Sequence, residues 1–303
     1  MLVLYRGEQR WEDRAFRDFP SFLRAGDCLV LNDSKVFPSR LYGRRVGKNL
    51  SGEVEVLLVQ PLNEDAKMWS ALVHPGRKMR VGERIAFDGA EAEVIARTEY
   101  GERTLRFDYE GDLYELLGRI GHVPLPPYIK REDTAEDRER YQTVFARATG
   151  SVAAPTAGLH FTPEILDACQ KAGAEIAYVT LHVGLGTFLP VRGESLHAER
   201  FHVPEESAAK IRAARRAICA GTTSVRAVES LFLGKCGETD LFIQPGFQFQ
   251  RTNAMLTNFH LPESSLLMLV CAFAGRELVL AAYQHAVQAG YRFYSYGDCM
   301  LIV

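Results

Sequence analysis

Hydrophobic and polar residues alternate along residues 52–110 in short runs that are typical of β-strands. The runs are GEVEVLLVQ, MWSALVH, ERIAFDG, AEAEVIART and ERTLRFDY, with turn-forming Pro-Gly and Asp-Gly pairs at 75–76 and 88–89. Strands at this regular spacing predict a small barrel or sandwich. Because the runs lie between the chain start and a longer α/β region, we expect an inserted β domain at residues 46–111.

From residue 112 onward, helical periods alternate with apolar strand-like segments. Thr162 and Pro163 form a typical N-cap and first helical residue. EIAYVTLHV and AICAG are typical of buried strands, and LLMLVCAFAG (266–275) and YRFYSYGD (291–298) also read as strands. Together with AGDCLVLND near the chain start, this alternation predicts an α/β layered domain formed by residues 1–45 and 112–303.

The composition, 47% hydrophobic and 24% charged, is that of a globular protein. The longest apolar run, residues 266–273, is too short to span a bilayer, and the first residues lack a signal-peptide pattern. The six cysteines form no CxxC pair. We therefore expect a cytoplasmic protein with reduced thiols, no metal and no membrane association. No exposed apolar stripe is evident, which favours a monomer.

A net charge of −2 does not favour a nucleic-acid-binding protein. A local patch can still bind phosphates, so charge leaves RNA binding undecided. The basic residues cluster at Arg44, Arg45 and Lys48, at Arg77, Lys78 and Arg80, at Lys130 and Arg131, and at Arg212, Arg215 and Arg216.

The turn Gly221-Thr222-Thr223-Ser224 connects a predicted strand to a predicted helix. A helix start offers free N–H groups and partial positive charge, and Arg226 follows one turn later. The turn is therefore a candidate carboxylate or phosphate site. The alternative is an ordinary helix cap, and the glycine spacing fits neither a P-loop nor a dinucleotide fingerprint.

Three further polar turns each carry a histidine: His160, His182 and His260. Each alone is more often a hydrogen-bonded structural residue, but ligands favour the carboxyl ends of strands in α/β sheets. Imidazole is also the usual proton carrier near neutral pH. Other candidate ligand-binding residues of these turns are Thr156, Gly184, Gly186, Thr187 and Asn258.

The aromatic segment Tyr291, Phe293, Tyr294 and Tyr296 precedes Asp298. It is typical of an edge strand that packs its rings into a core. The functional alternative is a stacking platform for a base, with Tyr296 among its rings and with Asp298 accepting from an amine or hydroxyl.

Taken in order, these segments resemble the S-adenosylmethionine:tRNA ribosyltransferase-isomerase family of queuosine biosynthesis. The resemblance covers nearly the whole chain. It implies an α/β/α layered main domain with an inserted small antiparallel β-barrel. The matching stretches are VLNDSKVFPSRLYGR (30–44), GHVPLPPYIKR (121–131), YQTVF (141–145), VAAPTAGLHFT (152–162), VTLHVGLGTFLPVR (179–192), GTTSVRAVES (221–230), TDLFIQPGF (239–247), LTNFHLPESSLLMLVCAFAG (256–275) and YRFYSYGDCMLI (291–302).

The resemblance implies that S-adenosylmethionine is the ribosyl donor and that no metal is needed. The acceptor would be 7-aminomethyl-7-deazaguanine at the tRNA wobble position, giving epoxyqueuosine, adenine and methionine. This chemistry needs a base beside the sulfonium, which we expect among the three histidines. The residues expected to complete the pocket are Asn32, Asp33, Arg40, Glu199 and Asp298.

The chain departs from the family pattern in places. Leu196 stands where the family has Met before a His-x-Glu stretch, here His197-Ala-Glu199, and the segments before Ala217 and at 233–237 are short.

Two rival functions remain open. A methyltransferase would share the donor but normally carries a Gly-rich loop after its first strand, which is absent from the sequence. A non-catalytic RNA-binding module built on the barrel would not need three polar β-to-α turns.

Overall fold

The computed structural model describes residues 1–47, 52–63, 65–98, 101–126, 128–129, 131–184 and 196–303. The predicted site residues Gly186 and Thr187 lie outside the described residues. Contacts divide the chain into two units. The main unit comprises Met1–Lys35, Gln142–Ala148 and Ala154–Val303, and the barrel unit comprises Val36–Tyr141 and Thr149–Ala153. The domain limits expected from the sequence, 46–111 for the insert, stay a prediction.

The strands in chain order are β1 (Leu2–Tyr5), β2 (Arg10–Asp13), β3 (Asp27–Asn32), β4 (Ser34–Val36), β5 (Arg40–Arg45), β6 (Glu53–Pro61), β7 (Met68–His74), β8 (Arg84–Phe87), β9 (Ala90–Arg97), β10 (Arg103–Tyr109), β11 (Ala148–Ser151), β12 (Glu175–Leu181), β13 (Glu199–His202), β14 (Arg216–Ala220), β15 (Glu238–Thr239), β16 (Thr252–Asn258) and β17 (Cys299–Ile302). The helices are α1 (Leu113–Ile120), α2 (Ala135–Arg140), α3 (Pro163–Lys171), α4 (Glu205–Ala213), α5 (Thr222–Phe232), α6 (Ser265–Ala274) and α7 (Arg276–Gln288). Short 3₁₀ helices span Phe16–Phe22, Gly76–Lys78 and Thr156–His160.

A nine-stranded sheet forms the main unit, in the order β15-β13-β12-β3-β14-β16-β17-β1-β2. Its central strands β12, β3, β14 and β16 are parallel neighbours, and β17 runs antiparallel to β16. Every residue of β3 is buried, so both faces of the sheet are covered. Leu29 and Leu31 pack with Phe161 and with Cys169 of α3 in one cluster. Helix α4 contacts β12 and β3, and α5 contacts β14 and β16.

A closed antiparallel barrel forms the centre of the barrel unit, in the order β10-β7-β6-β5-β8-β9. The alternation of apolar and polar residues in the sequence arises because alternate side chains of a strand face the barrel core. In β6 these are Val54, Val56 and Leu58, which are buried. Trp69 is also fully buried there and donates its indole N–H to the Ala66 carbonyl at 2.7 Å. The predicted α/β class with an inserted small antiparallel barrel is confirmed.

Two strand predictions are wrong. Residues 266–275 lie mostly in helix α6, which Ser264 caps by accepting a hydrogen bond from the Leu267 N–H at 3.2 Å. Ten buried or half-buried residues on one helix give an unbroken apolar run that resembles a buried strand. Residues 291–298 form turns instead, with Tyr294 at φ 74° and the Gly297 N–H bound to the Tyr294 carbonyl at 3.1 Å.

Within the described ranges, no single helix has the length and hydropathy to cross a membrane; the bent pair α6 and α7, at 114°, meets those criteria only when joined.

Gly121 directly follows helix α1, and the surrounding atoms leave no room there for a side chain. A Cβ there would lie 2.1 Å from the Pro38 carbonyl oxygen and 2.5 Å from that of Leu117. We expect Gly121→Ala to lower the free energy of unfolding by about 1–3 kcal/mol through overpacking. The matched control is Gly118→Ala, in the same helix with open space around it, which should stabilise the protein by about 0.5–1 kcal/mol.

The measurement is chemical denaturation followed by Trp69 fluorescence in a Trp11→Phe background. Equal stability of the two alanine variants would contradict the steric argument.

Candidate active site

The carboxyl ends of the four central parallel strands meet at one edge of the main sheet. Because β17 is antiparallel to β16 and pairs Cys299 with Asn258, β17 starts at that same edge. Open α/β sheets bind their ligands at this edge. The described candidate residues that the topology places there are Asn32, Asp33, His182, Gly184, Thr222, Thr223, Asn258, His260 and Asp298.

Asn32 fastens β3 to its neighbours. Its side-chain oxygen accepts from the Leu181 N–H at 3.0 Å, and its amide donates to the Leu181 carbonyl at 3.0 Å. The same amide donates to Thr223 Oγ1 at 3.1 Å, in the first turn of α5. Both ends of this buried side chain are therefore engaged within the protein, and its contact to a ligand stays a prediction.

Asp33 is held in a similar way. Its carboxylate accepts from Thr180 Oγ1 at 2.6 Å and from Arg147 Nη2 at 2.8 Å. The Arg147 guanidinium also stacks over the Tyr178 ring, 4.4 Å from its centroid. Arg147 was not predicted from the sequence; its only signal there is a lone arginine within the small and apolar segment at 143–150.

Gly221, whose φ of 95° favours glycine, is the N-cap residue of helix α5, and no side chain caps its first turn. Ser224 donates its hydroxyl to the Ala220 carbonyl at 2.7 Å and is fully buried. The turn therefore offers backbone N–H groups and the helix dipole.

Arg226 does not supply a free charge to this turn. Its guanidinium donates to Glu199 and, at 3.0 Å, to the Leu241 carbonyl, and the side chains of both ion-pair partners are only 6% exposed. Glu199 also accepts from the Gly184 N–H at 2.7 Å. The buried pair thus ties α5 to β13 and to the segment after β12, and the predicted anion site would depend on the backbone.

The hydrogen bonds around His160 fix its tautomer. The Asn258 amide nitrogen donates to the carbonyl oxygens of Tyr294 at 2.9 Å and Ser295 at 3.4 Å. Its oxygen therefore faces His160 Nε2, at 3.2 Å. Since a carbonyl oxygen only accepts, Nε2 must carry the proton. Nδ1 then holds the lone pair.

Burial lowers the pKa of His160, while the Asn258 hydrogen bond and the nearby Asp298 carboxylate oppose that shift. The positive charges of the Met1 amino group and Arg292 lower this pKa further. The imidazole packs on the Phe16 ring, 5.2 Å between centroids. His160 is therefore neutral at pH 7 and able to accept a proton.

Burial also lowers the pKa values of the other two histidines, His182 and His260. Burial lowers the pKa of His182 to about 4, helped by Arg200, and burial alone lowers that of His260 to about 4. His260 Nε2 lies 2.8 Å from Thr257 Oγ1, and its backbone N–H donates to the Tyr283 hydroxyl at 3.0 Å. Both residues are therefore neutral at pH 7.

Asp298 accepts a hydrogen bond from the Arg292 N–H at 2.8 Å. Burial raises the pKa of Asp298, but this bond and the Arg292 charge outweigh it, so the net shift is downward. Tyr296, 37% exposed, lies in the turn before it. Thr156 starts the 3₁₀ helix that ends at His160.

Arg40 belongs to the barrel unit, at the start of β5. Its guanidinium pairs with Glu55 at 3.1 Å and donates to the Leu125 carbonyl at 3.4 Å. Over the described part of the chain, no group of three His, Cys, Asp or Glu side chains is arranged to hold a metal ion.

A family model described as "Queuosine biosynthesis protein" matches residues 1–302. A protein of Solibacter usitatus named "S-adenosylmethionine:tRNA ribosyltransferase-isomerase" is 62% identical over 325 residues, covering 100% of this chain and 92% of the relative. A Symbiobacterium thermophilum protein of the same name is 49% identical over 320 residues, with the same coverage. The crystal structure of the S-adenosylmethionine tRNA ribosyltransferase from Thermotoga maritima is similar, with 38% identity, a TM-score of 0.54, and 100% of this chain and 91% of that chain covered.

Because Arg226 and Glu199 are buried together, removing one leaves the other without its counter-charge. We expect Glu199→Leu to lower the free energy of unfolding by about 3–5 kcal/mol. Adding Arg226→Met should restore most of that loss, since no buried charge then remains. The control Glu206→Gln, in the exposed pair with Lys210, should have no measurable effect.

Denaturant unfolding of the wild type and these three variants checks this. Equal losses in the single and double variants would show that the pair does not act as a unit.

Proposed function

The chain belongs to the queuosine biosynthesis protein family, and we propose that it transfers and isomerises the ribosyl group of S-adenosylmethionine onto 7-aminomethyl-7-deazaguanine at the tRNA wobble position. The products are epoxyqueuosine, adenine and methionine. S-Adenosylmethionine is then a co-substrate and tRNA the macromolecular partner. The predicted cytoplasmic location, monomeric state and independence of metal stay predictions.

The oriented imidazole of His160 is the observation that carries this proposal. The sulfonium charge acidifies the protons on the adjacent ribosyl carbon, and a base must remove one. His160 is neutral, is held by Asn258 through Nε2–H, and keeps its Nδ1 lone pair for that proton. The resulting imidazolium is stabilised by the neighbouring Asp298 carboxylate.

The first turn of α5 suits the methionine carboxylate of the donor. Its N–H groups and the helix dipole attract an anion, and Asn32 fixes the Thr223 side chain beside them. The Arg226 charge, already matched by Glu199, keeps this turn in place and does not bind the ligand itself.

Asp298 and Tyr296 suit the acceptor nucleotide. The lowered pKa of Asp298 keeps its carboxylate ionised, which allows it to accept a hydrogen bond from the aminomethyl group. The half-exposed Tyr296 ring offers a face on which a flipped-out base stacks.

The products of one reaction separate this function from its rivals. S-Adenosylmethionine is incubated with an anticodon stem-loop carrying the precursor base. Free adenine with methionine supports ribosyl transfer, S-adenosylhomocysteine would indicate a methyltransferase, and binding without product would indicate an RNA-binding module.

Replacement of His160 tests the assignment of the base. We expect His160→Ala to lower kcat for adenine release by about 100-fold or more, with a smaller change in KM, because a general base is lost. His182→Ala and His260→Ala should cause smaller losses. The control is His285→Ala, whose imidazole contacts Asp13 on the surface and should leave kcat unchanged. Full activity of His160→Ala would overturn the assignment.

The pH dependence of kcat tests the hydrogen bond between Asn258 and His160. His160 acts as a base only when neutral, so the rate falls as pH drops through its lowered pKa. Asn258→Asp places a carboxylate against Nε2–H, stabilises the imidazolium, and should move the acidic limb of kcat upward by about one pH unit. The exposed control Asn63→Asp should leave the limb in place. An unmoved limb in Asn258→Asp would show that His160 is not the titrating group.

A further inference from the structure

Four exposed cations form a surface on the barrel unit that we call the basic platform: Arg77, Lys78, Arg80 and Arg97. The first three lie on the loop between β7 and β8, which contains the 3₁₀ turn Gly76–Lys78. Within this loop Met79 is fully buried. The loop is therefore anchored by its apolar residue, while its charged residues face solvent.

The buried side chain of Arg103 holds this loop by hydrogen bonds to its backbone. Its Nη2 donates to the Gly76 carbonyl at 2.7 Å and its Nε to the Met79 carbonyl at 3.0 Å, while Nη1 donates to Gly101. Arg103 is only 3% exposed. It pairs across the strands with Arg97, which brings that cation next to the loop. Two of these three carbonyl contacts hold the loop between β7 and β8, and the third ties it to Gly101, just before β10.

Across the described residues, the platform cations and Arg103 form no ion pair, whereas the barrel's Arg84 and Arg106 pair with Glu91 and Glu93. Two acids that flank these segments are engaged by other residues: Glu83 binds Arg45, and Glu102, next to Arg103, accepts from Ser70.

Burial, followed by the like charge of Arg97, lowers the pKa of Arg103. Buried or clustered cations are normally paired, so an array held rigid without acids suits an external polyanion.

We propose that the basic platform binds the phosphate backbone of the tRNA substrate. The identity of the RNA rests on the proposed function, but the platform itself rests on the barrel contacts alone. Phosphate contacts position a nucleic acid and contribute affinity that falls with salt, without taking part in the chemistry. The platform therefore acts on tRNA binding and leaves S-adenosylmethionine binding and the chemical step unchanged.

The test compares two sets of substitutions on the same barrel. The platform variant combines Arg77→Gln, Lys78→Gln and Arg80→Gln. The matched control combines Arg84→Gln and Arg106→Gln, which removes exposed arginines that already have carboxylate partners. Binding of the precursor-containing full-length tRNA is measured directly across a salt series, and adenine release is measured separately with saturating tRNA.

For the platform variant we expect the Kd at about 0.1 M salt to rise about tenfold. The slope of log Kd against log salt should fall by about 3, one for each lost phosphate contact. The control should bind like the wild type, and kcat and the KM for S-adenosylmethionine should be unchanged in both. Unchanged Kd and slope in the platform variant, or an equal loss in the control, would overturn the inference. A wild-type protein that binds tRNA through the platform but releases no adenine would instead refute the proposed reaction.

Discussion

The parallel register of β12, β3, β14 and β16 is the constraint on which the rest of the main unit depends. It brings four strand ends, distant in sequence, to one edge, and the reversed β17 adds the start of a fifth strand. Side-chain hydrogen bonds then fix that edge. Asn32 joins β3 to β12 and to α5, and Asn258 joins β16 to the turn before β17. Because backbone pairing sets these positions, the polar turns can remain irregular without losing their geometry.

The two units differ in whether the charges central to their proposed roles have partners of opposite charge within the protein. In the main unit, buried carboxylates are matched internally: Glu199 by Arg226, and Asp33 by Arg147. What remains at the edge is neutral imidazole, a helix dipole and the Asp298 carboxylate, a combination suited to proton transfer from a cationic donor. In the barrel unit, the platform cations have no carboxylate partner among the described residues. The proposed functions require this difference: a reacting centre needs specific protonation states, whereas the proposed RNA-binding surface needs unneutralised positive charge.

Much of the fold was predictable because it depends on local pattern. The alternation along β6 and the buried run of β3 each have one structural solution, and both were found. Residues 266–275 were misassigned because an apolar run has no period, and only the cap at Ser264 separates helix from strand. The site was less predictable, since environment decides it. His160, His182 and His260 are equivalent in sequence, yet they differ in their partners and in the charges that act on their pKa. Arg226 looked like a ligand for an anion because its distant partner Glu199 was not visible in any local motif.

Asn258 shows why such a site cannot be read from spacing alone. Its amide binds the carbonyls of Tyr294 and Ser295, 36 and 37 residues away, and its oxygen binds His160, 98 residues away in the other direction. One side chain thus sets the imidazole tautomer by means of an irregular turn. If residues 291–298 formed a strand, the carbonyls of Tyr294 and Ser295 would accept hydrogen bonds from a neighbouring strand. The Asn258 side chain could then present either its oxygen or its nitrogen to His160. The departure from regular structure at Tyr294 is therefore what gives the imidazole a defined lone pair.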